Sequence, residues 1–217
     1  MTSTRAVIFA NGSLPDPEAL RRLLRPDDAL LAADGGTRHL LALGLLPSAV
    51  IGDLDSVTPD QLRRLEAAGV PLQRYPRDKN ETDLELALQA AVAAGHVAIL
   101  IAGALGGRLD QTLANLSLLS SPSLAGLDVR LDDGVEETFF ARSRARVEGR
   151  PGEIVSLLPW GGEVTGVTTR GLRWPLQAET LFPDRSRGVS NELTGETAEV
   201  SIRSGLLLVV HRRSPQA

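Results

Sequence analysis

The run Ile51-Gly52-Asp53-Leu54-Asp55-Ser56 sets two carboxylates two positions apart, directly after the apolar Ala49-Val50-Ile51. Those apolar residues read as the end of a buried strand. A glycine, two acids and a serine at its exit make a poor core and a good hard-cation site. Mg²⁺ takes oxygen ligands, usually one or two carboxylates with phosphate oxygens and water. Four other strand candidates exit into loops of the same character: Asn11-Gly12-Ser13, Asp34-Gly35-Gly36, Asp78-Lys79-Asn80-Glu81-Thr82-Asp83 and Gly103-Ala104-Leu105-Gly106-Gly107-Arg108-Leu109-Asp110-Gln111. If the strands are parallel, all five loops meet at the carboxyl edge of one sheet, where open α/β folds bind ligands. The expected chemistry is that of an enzyme handling a metal–phosphate substrate.

Plainer roles exist for several of these residues. Asp110 could cap a helix over Gln111–Leu119, Asp83 suits a first helical turn, and Asp34 before two glycines suits a turn. Asp53 and Asp55 are the hardest to explain structurally, because Thr58 already caps the next helix. The glycines of Gly103–Gly107 let backbone N–H groups approach phosphates, and Arg108 could pair with phosphate oxygens by its planar fork. No Walker A loop, dinucleotide fingerprint or Gly-x-Ser-x-Gly elbow is present. His39, His96 and His211 show no metal-ligand spacing and read as incidental.

The elements that must carry these loops are legible as periodicity. Ala6–Ala10, Ala29–Ala33, Ala49–Ile51, Leu72–Tyr75 and Val97–Ala102 are strand candidates. Pro17–Leu24, Thr37–Leu43, Pro59–Ala68 and Thr82–Ala94 carry apolar residues at helical spacing. This alternation predicts a largely parallel sheet covered by helices. Capping-box patterns open two helices, at Thr58-Pro59-Asp60-Gln61 and Thr82-Asp83-Leu84-Glu85. After about Asp128 the texture turns to short β-prone runs: Thr138–Ala141, Ile154–Leu158, Glu163–Thr169, Ala198–Ile202 and Leu206–His211. The expected fold is α/β: an N-terminal, mostly parallel sheet with flanking helices over residues 1–134, then an all-β sandwich or barrel-like domain over 135–217. The tail Ser214–Ala217 is expected to fray.

Composition sets limits. The 217 residues are 42% hydrophobic but only 3% aromatic, so the core must be mainly Leu, Val, Ile and Ala. A net charge of −4 without a basic block argues against nucleic acid as a partner. The absence of cysteine removes disulfides, thiolate catalysis and Cys-ligated zinc, and fits a reducing cytoplasm. Met1-Thr2-Ser3-Thr4-Arg5 shows no signal peptide, and no apolar run reaches the ~18 residues of a membrane span.

Ala33-Asp34-Gly35-Gly36, Gly52-Asp53-Leu54-Asp55-Ser56, Asp78–Asp83 and Gly106-Gly107-Arg108-Leu109-Asp110-Gln111 resemble, in order and spacing, the motifs of thiamine pyrophosphokinases. In the β-rich half, Gly171-Leu172-Arg173-Trp174-Pro175-Leu176 and Gly188-Val189-Ser190-Asn191-Glu192 resemble that family's thiamine-binding segment. Asn80 departs from the pattern, since many relatives carry an acid there, and it is given no metal role. The resemblance implies transfer of pyrophosphate from Mg-ATP to thiamine by a homodimer with Mg²⁺ as cofactor, its sites shared between subunits. On that reading Asp53, Asp55 and Asp110 hold the metal, and Asp83 is either a further ligand or the acceptor of the thiamine hydroxyl proton. Asn11, Gly12, Asp34, Gly35 and Gly36 line the nucleotide pocket with Gly106 and Gly107. Lys79, Thr82 and Arg108 contact phosphates. Trp174 stacks on thiamine while Ser190 and Asn191 bond its pyrimidine edge; Trp160, beside two glycines, reads as a turn residue. Two alternatives stay open: a related enzyme with another acceptor such as a pterin alcohol, and a non-catalytic nucleotide-binding sensor.

Overall fold

A computed structural model describes residues 5–214. The N-terminal segment Met1–Thr4 and all of the expected frayed tail except Ser214 therefore lie outside the described residues. The chain divides into two compact units, one ending at Gly134 and the other beginning at Val135.

The first unit alternates strand and helix: β1 (Arg5–Phe9), α1 (Pro17–Leu23), β2 (Ala29–Ala33), α2 (Thr37–Ala42), β3 (Ala49–Gly52), α3 (Pro59–Ala67), β4 (Leu72–Arg74), α4 (Asp83–Ala93), β5 (Ala98–Ala102), α5 (Leu109–Leu119) and β6 (Asp128–Asp132). The strands lie in the order β6-β5-β1-β2-β3-β4, every pair parallel. Ala6–Phe9, Ala49–Gly52 and Ile99–Ala102 are buried throughout. Continuous burial follows from a parallel sheet covered on both faces. Strand β6 is absent from the sequence-based expectation; its only apolar residues are Val129 and Leu131, set among two acids and an arginine, too short an apolar signal to read alone.

The chain winds outward from β1 through β4, then returns to place β5 on the other side of β1. The loops after β1 and β5 are therefore neighbours at the switch point of the sheet, the usual place for a ligand crevice. They are joined by backbone bonds from Ala10 N to Ala102 O (2.8 Å), Gly12 N to Gly103 O (2.6 Å) and Ser13 N to Leu105 O (3.2 Å). Thr58 forms a complete capping box with Gln61. Thr82 caps α4 by accepting from Glu85 N, while the Glu85 carboxylate accepts from Gln89 instead of closing the box.

The second unit contains β7 (Glu136–Ala141), β8 (Arg144–Glu148), β9 (Ile154–Pro159), β10 (Val164–Arg170), β11 (Glu179–Leu181), β12 (Asn191–Glu192), β13 (Thr197–Ser201) and β14 (Leu207–Arg212). They pair antiparallel in two groups, β12-β9-β14-β7 and β11-β10-β13-β8. Alternation sends Val147, Val155, Leu157, Val164, Val167, Val200 and Val209 into one core. β8, β11 and β12 escaped the sequence reading because arginines and glutamates fill their outward positions or because they span only two or three residues. Trp160 is no turn residue: it meets Phe140 edge-on, ring centroids 5.5 Å apart. His211 is fully buried, its Nε2 2.9 Å from Glu153 Oε2. No helix among the described residues is long and apolar enough to cross a membrane.

Candidate active site

Leu54 explains the Asp-Leu-Asp spacing. Its side chain is buried in the core of the first unit, so the flanking Asp53 and Asp55 turn toward the cleft. Three of the four non-glycine residues with positive φ among those described are Asp34 (43°), Leu54 (64°) and Ser190 (58°), all within the singled-out motifs. Such backbone costs of order 1–3 kcal/mol each and persists only where surroundings hold it. Gly52, at φ 147°, is the residue over which the acids close: a Cβ there would lie 2.8 Å from Asp83 Oδ1 and 3.0 Å from Asp34 Cβ.

Asp34, Asp53 and Asp83 each offer a carboxylate oxygen within 4.8 Å of the others. They come from the 3₁₀ turn after β2, the loop after β3 and the first turn of α4. Lys79 Nζ stands 3.0 Å from Asp83 Oδ1 and 3.6 Å from Asp53 Oδ2, with its side chain only 11% exposed. Even so, Asp83 Oδ1 is buried and lacks an aligned hydrogen bond. Burial is the main cause pushing the Asp83 carboxyl above its ordinary value; Asp53 and Asp34 push the same way and Lys79 opposes them. Burial alone would lower the Lys79 ammonium, but contact with Asp83 and the charge of Asp53 outweigh it and hold it above its ordinary value. Three converging carboxylates with an under-coordinated buried oxygen fit a hard divalent cation.

The cleft, about 600 Å³, is lined by Asn11, Gly12, Asp34, Asp53, Asp55, Lys79, Thr82, Asp83, Gly106, Gly107 and Arg108 from the expected set. Three expected residues do not line it. Gly35 and Gly36 are buried against the Asn11 side chain and the Phe9 backbone, so their small size serves close packing of the turn on β1. Asp110 neither lines the cleft nor joins the acid cluster, and it is not the helix cap, since α5 starts at Leu109 with Arg108 as N-cap. Its side chain, 63% exposed, pairs with Arg108, whose Nε donates to Oδ1 at 3.1 Å. That bond, followed by one from Gln111 N–H, holds the Asp110 carboxyl below its usual range. Asp55 lines the cleft but stands outside the cluster: its N–H donates to Asp53 Oδ1 (3.1 Å), and its carboxylate accepts from Ser56 Oγ and faces Arg77 at 3.6 Å.

The sequence reading missed Arg38 and Asn115. Arg38 donates to Asn11 O (2.8 Å) and Gly12 O (3.0 Å), and His39 Nε2 donates to the same Gly12 carbonyl at 3.0 Å. His39 is therefore not incidental; burial, then the Arg38 charge, hold its ring below the usual value against the pull of Gly12. Buried Asn115 donates to Ala104 O at 2.7 Å, fixing the glycine-rich loop to α5. Neither residue belongs to a loop motif; the available signal is only their placement in the helix that follows one.

In the second unit the two motif segments join. Arg173 N donates to Glu192 O and Thr194 N to Gly171 O. Asn191, 4% exposed, accepts from Trp174 N (3.0 Å) and donates to Trp174 O (2.7 Å). Its amide therefore positions Trp174. Trp174 is 45% exposed, with the Arg173 guanidinium 4.9 Å from its ring centroid. Ser190 donates its N–H to Ser156 Oγ and turns an exposed hydroxyl outward.

A cleft of acids, one lysine and glycine-rich turns at the carboxyl edge of a parallel sheet defines a phosphate-handling α/β protein. Residues 20–131 match the family model "Thiamin pyrophosphokinase, catalytic domain", and residues 144–207 match "Thiamin pyrophosphokinase, vitamin B1 binding domain". The thiamine pyrophosphokinase of Bacillus subtilis is 30% identical over 182 residues, covering 83% of this chain and 85% of that one. The crystal structure of the Bacillus subtilis thiamine pyrophosphokinase superposes with a TM-score of 0.87 at 26% identity, over 97% of this chain and all of that one. That of Geobacillus thermodenitrificans thiamin pyrophosphokinase gives 0.84 at 25% identity, over 98% and 99%. The chain belongs to the thiamine pyrophosphokinase family, transferases that make thiamine diphosphate. Neither the pterin alternative nor the sensor is favoured.

Proposed function

We propose that this chain transfers the pyrophosphoryl group of ATP to the hydroxyethyl oxygen of thiamine, giving thiamine diphosphate and AMP, with Mg²⁺ as cofactor. The observation that carries this reading is the convergence of Asp34, Asp53 and Asp83 beside Lys79 and two glycine-bearing loops. Mg²⁺ on these three carboxylates would neutralise triphosphate charge and supply an orienting template. This assignment puts Asp34 in the metal set in place of Asp110, and Asp83 among the ligands. Asp55 supports the set by presenting its N–H to Asp53.

The residues of the chain position the reactants. The glycine-rich turn at Gly106 and Gly107 lets backbone N–H groups approach phosphate oxygens, while Lys79 and Arg108 bring cationic donors. The Arg38 and His39 bonds to the Asn11 and Gly12 carbonyls fix the first of these loops. Phosphoryl transfer has a loose transition state, so alignment of the alcohol with the β-phosphorus and charge stabilisation dominate over base strength. Trp174 offers a flat face to the cationic thiamine rings, held by Asn191, and the Ser190 hydroxyl bonds the pyrimidine edge. The working unit is a homodimer in which the acids of one subunit serve the Trp174 segment of the other, in the cytoplasm to which a cysteine-free chain is suited. Incubation with Mg-ATP and thiamine should yield thiamine diphosphate, and addition of EDTA should abolish the yield. Turnover of a pterin alcohol in preference to thiamine would overturn the assignment.

A further inference from the structure

The outer face of β8, β13 and β10 carries a second chemical grouping. Strand alternation turns Val147, Ala198, Val200 and Thr169 inward and leaves Arg144, Arg146, Glu199, Ser201, Thr168 and Arg170 outward. The register aligns them in two rows: Arg170, Glu199 and Arg146 in one, Thr168, Ser201 and Arg144 in the next. Together they border a concavity of about 440 Å³. Three guanidiniums against one lining carboxylate leave two positive charges in excess.

Arg146 pairs with Glu148 along its own strand, Nε to Oε1 at 3.1 Å. The side chains of Arg144 and Arg170 make no hydrogen bond or ion pair among the described residues. An arginine on β8, an edge strand, serves to discourage edge-to-edge pairing. Arg170 has no such use, because β10 is flanked by β11 and β13. Like charges gathered on one sheet face weaken it, so their placement calls for a counter-charge. Neighbouring strands lie about 4.8 Å apart, which puts the flanking strands of this face about 10 Å apart. That span suits an anion longer than one phosphate. Arginine forks bind phosphate oxygens bidentately, and Ser201, on the strand between β8 and β10, stands opposite Arg144 in the register.

We propose that this face is a binding site for a small anion with two or more linked phosphoryl groups, held by Arg144 and Arg170 with Ser201. The site lies wholly within the second unit and is independent of the acid cleft.

Titration calorimetry of the full chain with inorganic pyrophosphate, without Mg²⁺, tests it; the acids of the cleft disfavour the bare anion there. Wild type should bind, and Arg144→Ser/Arg170→Ser should weaken binding by about tenfold or more while leaving kcat for thiamine diphosphate formation unchanged. Arg144→Lys/Arg170→Lys, which retains the charge and loses the forks, should fall between. Glu199→Gln should bind more tightly than wild type. An unchanged isotherm in the double serine variant would overturn the site. So would an equal loss in Arg150→Ser/Arg185→Ser, which removes the same charge from exposed positions of that unit outside the concavity.

Discussion

Lys79 Nζ lies 3.0 Å from Asp83 Oδ1, so the chain supplies its own cation to the carboxylates that would otherwise repel one another. A metal held by these carboxylates would compete with Lys79 for the same oxygens and would free its ammonium to face phosphate. Lys79→Met should lower the melting temperature without Mg²⁺ and show a larger Mg²⁺-induced rise than wild type. Its KM for ATP should increase by about tenfold or more. Thermal melts with and without Mg²⁺ check the first point; an equal Mg²⁺-induced rise in both proteins would count against the counter-ion role.

The acids should separate into two groups. Asp53→Asn and Asp83→Asn, within the cluster, should lower kcat by roughly 10²-fold or more, the cost of losing one preorganised electrostatic contact. Asp110→Asn, outside it and exposed, should cost less than about tenfold. Steady-state kinetics on the three variants decides this, and an Asp110 loss as large as that of Asp53 would restore it to the metal set.

In the second unit, Trp174→Ala should weaken thiamine binding by about 1–3 kcal/mol through lost stacking and apolar contact, with ATP binding little changed. Asn191→Ala should raise the thiamine KM and also lower stability, because its amide holds both backbone groups of Trp174. Mixing Trp174→Ala with Asp53→Asn subunits should restore one intact site per heterodimer. No recovered activity after confirmed subunit exchange would place each site within one chain.

The sequence reading reached most of the fold wherever burial was continuous, because runs such as Ala6–Phe9 and Ile99–Ala102 are apolar on both faces of the sheet. It lost β8, whose outward arginines mask the alternation, and β12, which is two residues long. In the site, Asp53 and Asp83 were legible because an acid at a strand exit or helix start has few other uses. That Asp34 joins them and Asp110 does not is hidden, because spacing does not reveal which carboxylates turn inward. That choice is made by Leu54, Gly52 and the positive φ of Asp34. Gly35 and Gly36 look like ligand glycines, yet Gly35 meets the Asn11 side chain and Gly36 the Phe9 backbone.

Acid should expose the buried Glu153–His211 pair. Burial pushes the Glu153 carboxyl up, but the Arg150 N–H, the His211 ring and the Ser214 N–H outweigh it, and the carboxyl sits below its ordinary value. A lowered carboxyl stabilises the fold fully above its unfolded value, about 4.3, and that contribution is lost as pH falls through the folded value. Glu153→Gln should cost about 1–3 kcal/mol at neutral pH and show a flatter decline between about pH 5 and pH 3. Denaturant melts across that interval check it; parallel curves for both proteins would rule out the linkage.

The identity of the nucleotide product tests pyrophosphoryl transfer most directly. With Mg-ATP and thiamine, chromatographic quantification should find AMP and thiamine diphosphate in equal amounts, because the β-phosphorus is the one attacked. ADP with thiamine monophosphate as the main products would contradict the transfer and assign the cleft to attack on the γ-phosphorus.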